Sequence, residues 1–222
     1  REEMDRFSSD SQTKALAAVK AGLFKDQIVG IEVKKNRKIT IFEEDEHIKP
    51  NTTIENLASL RAAFKSDGLV TAGNSSGIND GTSSIVLANE EVSKMAKSAP
   101  LARIVSYGFG GVAPNIMGMG PVPASKVALE KAKLKISDLD LIESNEAFAA
   151  QACAVSKALK LPQKIVNPNG GAIALGHPIG ATGTIILTKL VHELIRTKGR
   201  YGMATMCIGG GQGISVIIDT AV

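Results

Sequence analysis

Three side chains in this sequence combine reactivity with a setting that could use it. His177 lies in "NPNGGAIALGHPIGATG", residues 167–183, among glycines, prolines and small apolar side chains. It precedes Pro178, and proline favours the first position of a helix, so the spacing predicts His177 at or beside a helix N-cap. There the helix dipole disfavours an imidazolium and leaves a neutral ring able to accept a proton. The small neighbours would let a substrate approach the backbone. The alternative is a histidine packed in a turn. Cys207 ends the apolar stretch "GMATMCI" and runs into "IGGGQG", residues 208–213. That pattern predicts a thiol at a strand end, exposed to a cleft and beside backbone N–H groups that could serve an oxyanion. The alternative is a small buried hydrophobe. "ESNEAF", residues 143–148, finishes another predicted strand, where Asn145 or Glu146 caps the next helix or the carboxamide holds a catalytic water. A neutral base, a thiol and oxyanion donors together suggest acyl transfer or carbanion chemistry, provided that they meet.

Other polar residues read as structural. Cys153 sits within "AAQACAVSKAL", mid-helix among alanines, and is expected in the core. His47 and His192 have charged or polar neighbours and are expected at the surface. "NSSGINDG", residues 74–81, lacks the Lys-Ser/Thr of a phosphate loop and the spacing of a dinucleotide-binding turn, which leaves a Gly/Ser turn. Neither cysteine falls in a metal-binding spacing, so no metal and no cofactor are expected.

These groups need a scaffold. The 222 residues, 44% of them hydrophobic, suffice for a substantial core. A net charge of +4 with dispersed lysines, no tryptophan and 4% aromatics argues against a nucleic-acid partner. No run reaches membrane-span length, and two cysteines point to a reducing, cytoplasmic setting. The chain opens on "REEMDRF" with a helix already under way, which reads as the middle of something longer.

Helical spacing runs from Arg1 to about Ala21 and stops at Gly22. "IVGIEVKKNRKITIF" predicts a hairpin turning at Lys35, Asn36 and Arg37, and a helix is expected from Ile54 to Phe64. Thereafter strands ("SIVLA", "RIVSYGFGG", "LDLIES") alternate with helices near Glu90–Lys97, Val122–Lys133, Ala147–Leu159 and Pro178–Thr197. "GMATMCI" and "GISVIID" close as an antiparallel pair. This order predicts an α/β fold, a layered mixed sheet preceded by a small α/β lobe, with a division at 1–78 and 79–222. Ligand sites of such sheets gather at strand ends.

"NSSGINDG", "MGMGPVPA", "ESNEAFAAQ", the 167–183 stretch and "CIGGGQG", in this order, resemble the C-terminal part of the thiolase family, and within it the biosynthetic acetyl-CoA acetyltransferases. The resemblance covers essentially the whole chain. It implies helices on both faces of the sheet, the C-terminal half of the thiolase core, and residues 1–78 as part of the family's loop domain. It implies Claisen condensation of two acetyl-CoA molecules to acetoacetyl-CoA, or the reverse thiolysis. The position of His177 then belongs to the base that activates a nucleophilic cysteine and that forms an oxyanion hole with a water held at Asn145. Cys207 would remove a proton from C2 of the second acetyl-CoA, and the N–H of Gly209 would serve the other oxyanion hole. Contacts to CoA would come from Lys49, Asn56, Leu60, Phe64, Ser76 and Met117, with Ala147 and Phe148 lining the acyl pocket. Lys49 stands where the family often has arginine and lacks the planar face that stacks on a base. The family's nucleophile block is not in this sequence, so the chain alone is expected to be inactive, to need the N-terminal half as partner and to form a homo-oligomer through an uncovered apolar face.

Overall fold

The structure is a computed structural model that describes residues 1–35, 37–96 and 98–222. Helix α1 (Glu2–Lys20) carries Glu2, Glu3 and Asp5 in its first turn and Lys20 in its last, complementing the helix dipole. Met4, Ser8, Ser11, Ala15 and Ala18, at helical spacing, form its buried stripe. It ends before Gly22, whose φ of +69° closes the turn. Strands β1 (Ile31–Lys35) and β2 (Lys38–Phe42) pair antiparallel as the expected hairpin. Arg37 takes the left-handed turn conformation, while Asn36 lies outside the described residues.

Helix α2 (Ile54–Ala58) starts at Thr53, whose hydroxyl accepts from Asn56 N–H. It is half the expected length. The chain turns back instead, so that Ala62 bridges Thr71 and Ala63 N–H donates to Val70 carbonyl. "SIVLA" forms no strand among the described residues: it finds no partner, and Val86 and Leu87 are 92% and 71% exposed. Helix α3 (Glu90–Met95) is capped by Asn89, and the expected continuation to Lys97 lies outside the described residues.

Beyond this point the chain builds one sheet. Strand β3 (Arg103–Gly111) leads through a short turn to α4 (Pro121–Ala132), then β4 (Leu141–Ser144) and α5 (Ala149–Leu159). The one-turn α6 (Ala172–Leu175) and the long α7 (Thr182–Thr197) precede β5 (Tyr201–Ile208) and β6 (Gln212–Asp219). Spatial order is β3-β6-β5-β4. The β3/β6 and β5/β6 pairs are antiparallel, and β4/β5 is parallel. Strand alternation sends Ile142, Met203 and Ile217 to one face, under Ala128, Leu129, Val155 and Leu159 of α4 and α5. It sends Leu141, Ala204, Met206 and Ile218 to the other, under Ile186, Leu190 and Leu194 of α7. Helices thus cover both faces, and α1 lies over α5 and α6 through Met4, Ala149 and Ile173.

Candidate active site

Parallel β4 and β5 end side by side. Ser144 pairs with Thr205, and the N–H of Asn145 donates to the Thr205 carbonyl at 2.9 Å. Cys207 lies two residues further along β5, about 7 Å at the rise of an extended strand. Asn145 and Cys207 therefore both lie at the C-terminal edge of the parallel β4/β5 pair.

His177 reaches the same edge from the loop between α6 and α7. Its Nε2 accepts from Asn145 Nδ2 at 3.4 Å. Its Nδ1 lies 2.6 Å from Thr182 Oγ1, and that hydroxyl donates its single proton to the Pro178 carbonyl at 2.9 Å. Thr182 can therefore only accept from the ring, which puts the imidazole proton on Nδ1 and leaves the Nε2 lone pair facing Asn145. Thr182 is the residue that the sequence reading missed; its signal is its place five residues after His177, at the first position of α7.

The helix begins later than expected. Residues 178–181 form a turn, with Ala181 and Thr182 N–H both donating to Pro178 carbonyl, so His177 sits a turn ahead of α7 and is not its N-cap. Burial pulls the imidazole below its usual 6.5. The neutral ring follows all the same. The His177 backbone N–H is shared by Gly77 carbonyl at 3.2 Å and Asn79 Oδ1 at 3.1 Å, which ties the loop to the Gly/Ser turn. Gly176 has φ +96°, and a side chain there would strike the Asn79 carboxamide.

Neither Asn145 nor Glu146 caps α5, whose N-cap is Phe148 without a side-chain bond. Glu146 is instead a buried hub: it accepts from Ser11 Oγ (2.6 Å), Asn167 Nδ2 (2.8 Å) and Ile173 N–H (3.3 Å), joining α1, the 167–171 turn and α6 behind the site. Asn145 keeps its Oδ1 unpartnered, so its carboxamide is not consumed by scaffold bonds.

Cys207 is buried, contrary to the expected exposure, within the paired end of β5, where it stands opposite Gly213 of β6. Burial pushes its thiol above the ordinary 9.0. Among the described residues no hydrogen bond links its Sγ to Asn145 or His177. Gly209 lies exposed in the turn with open space around its Cα. His47 and His192 are half-buried instead of superficial, and His47 packs on Gly77 beside the loop that holds His177. Cys153 is half-buried on α5.

Of the expected CoA contacts, one group clusters and the rest do not. Ser76 N–H donates to Ala147 carbonyl at 3.0 Å. The rings of Phe64 and Phe148 meet edge to face at 6.2 Å. Leu60 packs over Gly73 in the same turn region. Lys49 is exposed, with its backbone N–H on Gln12 Oε1, and the Asn56 carboxamide donates to Asn51 carbonyl within its own loop. Met117 is half-buried in the turn between β3 and α4, whose Gly118 packs on Gln151 of α5.

The family model "Thiolase, C-terminal domain" matches residues 98–220, and "Thiolase, N-terminal domain" matches residues 1–91. "Beta-ketothiolase BktB" of Cupriavidus necator is 53% identical over 99% of this chain, and the "Acetyl-CoA acetyltransferase" of Shinella zoogloeoides is 51% identical. The human "3-ketoacyl-CoA thiolase, mitochondrial" is 50% identical. The chain spans 56%, 56% and 55% of these three relatives. The crystal structure of the Bacillus anthracis acetyl-CoA acetyltransferase superposes with a TM-score of 0.96 at 50% identity, over 99% of this chain and 56% of that one. The human mitochondrial 3-ketoacyl-CoA thiolase in complex with CoA superposes with a TM-score of 0.91 at 46% identity, over all of this chain and 55% of that one.

Proposed function

From a chain that belongs to the thiolase family, we infer an acyltransferase half-site, the part of an acetyl-CoA acetyltransferase that carries the base, the second thiol and the carboxamide. The observation that carries this reading is the Thr182–His177–Asn145 chain, with the imidazole proton on Nδ1, the Nε2 lone pair turned to the Asn145 amide and the Asn145 Oδ1 without a partner.

In this reading a cysteine on the N-terminal half of the family's chain gives its proton to His177 Nε2 and attacks acetyl-CoA; its sulfur forms a thioester and the CoA thiolate leaves, taking the proton. Cys207, ionised, then removes a proton from C2 of a second acetyl-CoA. The carbanion attacks the enzyme-bound acetyl group, a carbon–carbon bond forms, and the carbon–sulfur bond to the enzyme breaks to release acetoacetyl-CoA; the nucleophile, left as a thiolate, takes up the proton that Cys207 removed, and both sulfurs return to their starting states. Asn145, holding a water with His177, and the N–H of Gly209 would each stabilise one oxyanion. Burial raises the Cys207 thiol, which makes its thiolate a stronger base and at the same time reduces the fraction that is ionised. CoA would lie along Lys49, Asn56, Leu60, Phe64, Ser76 and Met117, with Ala147 and Phe148 lining the acyl pocket. Residues 1–78 act here as the CoA-facing lobe and 79–222 as the core, in a reducing, cytoplasmic setting. Tyr107 and Phe109, 53% and 64% exposed on the sheet face away from α4, support cover by the N-terminal half or another copy.

The test is complementation. The chain alone is expected to be inactive; mixed with a polypeptide supplying the thiolase N-terminal half, it should cleave acetoacetyl-CoA in the presence of CoA. A well-formed complex without turnover would overturn the reading. The 50% identity to a 3-ketoacyl-CoA thiolase favours a second reading, thiolysis of longer 3-ketoacyl chains. Comparing kcat/KM on acetoacetyl-CoA and on a longer 3-ketoacyl-CoA decides between the two.

A further inference from the structure

Lys189 breaks the pattern of its helix. Thr182, Ile186, Lys189 and Glu193 fall at helical spacing on the stripe of α7 that turns inward, and Lys189 is only 5% exposed. An ammonium there is desolvated and costly unless it is fully used. It is used twice. Its Nζ donates to Glu143 Oε2 at 2.8 Å and to the Gly170 carbonyl at 2.7 Å. Glu143 is itself buried, and its other oxygen, Oε1, has no partner.

The two acceptors belong to the two segments that carry the site. Glu143 lies on β4 two residues before Asn145, on the same strand face. Gly170 is in the turn that runs through α6 to His177. Asn145, Gly176, Thr182, Glu143 and Lys189 all line one small cavity behind the Asn145–His177 contact. A single cation thus pins both segments from the rear, and the helix that supplies it also supplies Thr182, which holds the front.

We propose that Lys189 is a positioning residue: by bridging Glu143 and the Gly170 carbonyl it sets the separation and orientation of Asn145 and His177. This rests on the acyltransferase reading for its consequence in rate, but the geometry it fixes is measurable in the chain alone. An ion pair that only stabilised the fold could be replaced by apolar residues without changing the site.

The experiment makes Glu143→Leu/Lys189→Met, which replaces the pair with apolar side chains of similar length. In the 222-residue chain the nuclear Overhauser contact between the Asn145 side-chain amide and the His177 ring is recorded with the thermal midpoint. The complemented enzyme is assayed for kcat and KM. The double variant is expected to remain folded, to lose that contact, and to drop about 100-fold in kcat with KM held within about twofold. Lys189→Gln, which keeps N–H donors on a shorter neutral arm, is expected to fall only about tenfold, and it decides the matter if the double variant does not fold. An intact contact, or a kcat within about threefold of the parent in a variant that folds, overturns the proposal. If the unmodified chain cannot be complemented at all, the acyltransferase reading fails, while the amide-to-ring contact still decides the role of Lys189.

Discussion

"SIVLA", residues 84–88, and "LIES", residues 141–144, look ranked by composition, and the fold reverses the ranking. The first has three large aliphatic residues, yet it is unpaired, with Val86 at 92% exposure. The second contains a glutamate and a serine, yet all four residues are buried. What separates them is partnership. "LIES" pairs along β5, and its polar groups find partners: Glu143 Oε2 in Lys189, and Ser144 N–H and carbonyl in the two ends of the Asn167 carboxamide, both at 2.8 Å. "SIVLA" has strand propensity and no neighbouring strand, and propensity alone does not bury a strand. The same contrast divides the molecule. Residues 103–219 close a core around one sheet, whereas the β1/β2 hairpin and the stretch near residues 76–101 leave apolar side chains such as Ile39, Ile78 and Met95 at 68%, 94% and 81% exposure.

The contrast is broken hardest at the site. His177→Ala removes the imidazole that meets Asn145 at the end of β4, and turnover of the complemented enzyme is expected to fall about 1,000-fold with little change in the melting of the chain. An unchanged rate would detach the site from the sheet edge. Glu146→Ala is next. It strands three buried donors, on Ser11, Asn167 and Ile173, and is expected to cost about 3 kcal/mol in urea unfolding. A cost near zero would mean that the α1 contact contributes nothing to the closed core.

Much of this was legible. The strands and helices of residues 103–219 follow from alternation and helical spacing, because a closed core forces each pattern to match its face. Residue type and glycine context single out Asn145, His177 and Cys207 as candidates, and of these the structure joins Asn145 to His177. The start of α7 was not legible, since Pro178 suits a helix N-terminus and only the turn made by residues 178–181 shows that it precedes one. The burial that lowers the imidazole pKa was likewise not legible, since it depends on what packs around the loop. Thr182 and Lys189 were missed for a related reason: a threonine and a lysine on a helix read as solvated, and only the packing of α7 on β4 turns them inward. "SIVLA" failed because a strand's partner lies elsewhere in the sequence.

Smaller effects sharpen the comparison. Thr182→Val keeps the shape of the α7 start but removes the acceptor that fixes the Nδ1–H tautomer, so kcat is expected to drop about tenfold, and nitrogen shifts of the His177 ring should report mixed tautomers. Because burial lowers the His177 pKa below 6.5, the neutral base persists under mildly acidic conditions, and activity falls only as pH drops through a value below 6.5. The sign for stability is the same. The unfolded chain takes up the proton first, so the contribution of His177 is complete above 6.5 and is lost as pH falls from there to the folded value. In His177→Gln this part of the pH dependence should vanish from unfolding curves.

The smallest change tests the exposed region itself. Val86→Ser and Leu87→Ser replace side chains that are 92% and 71% exposed, so in the chain alone each should alter unfolding by less than about 0.5 kcal/mol. Should the N-terminal half of the enzyme cover this segment, the same substitutions would cost about 1–2 kcal/mol each once the complex forms, because apolar area that stays wet in the lone chain is then removed from water. The pair of measurements on one substitution isolates the partner's contribution, since the lone chain serves as its own reference. A cost already present in the lone chain would mean that "SIVLA" packs on its own, and the division between a closed sheet and an open segment would fall.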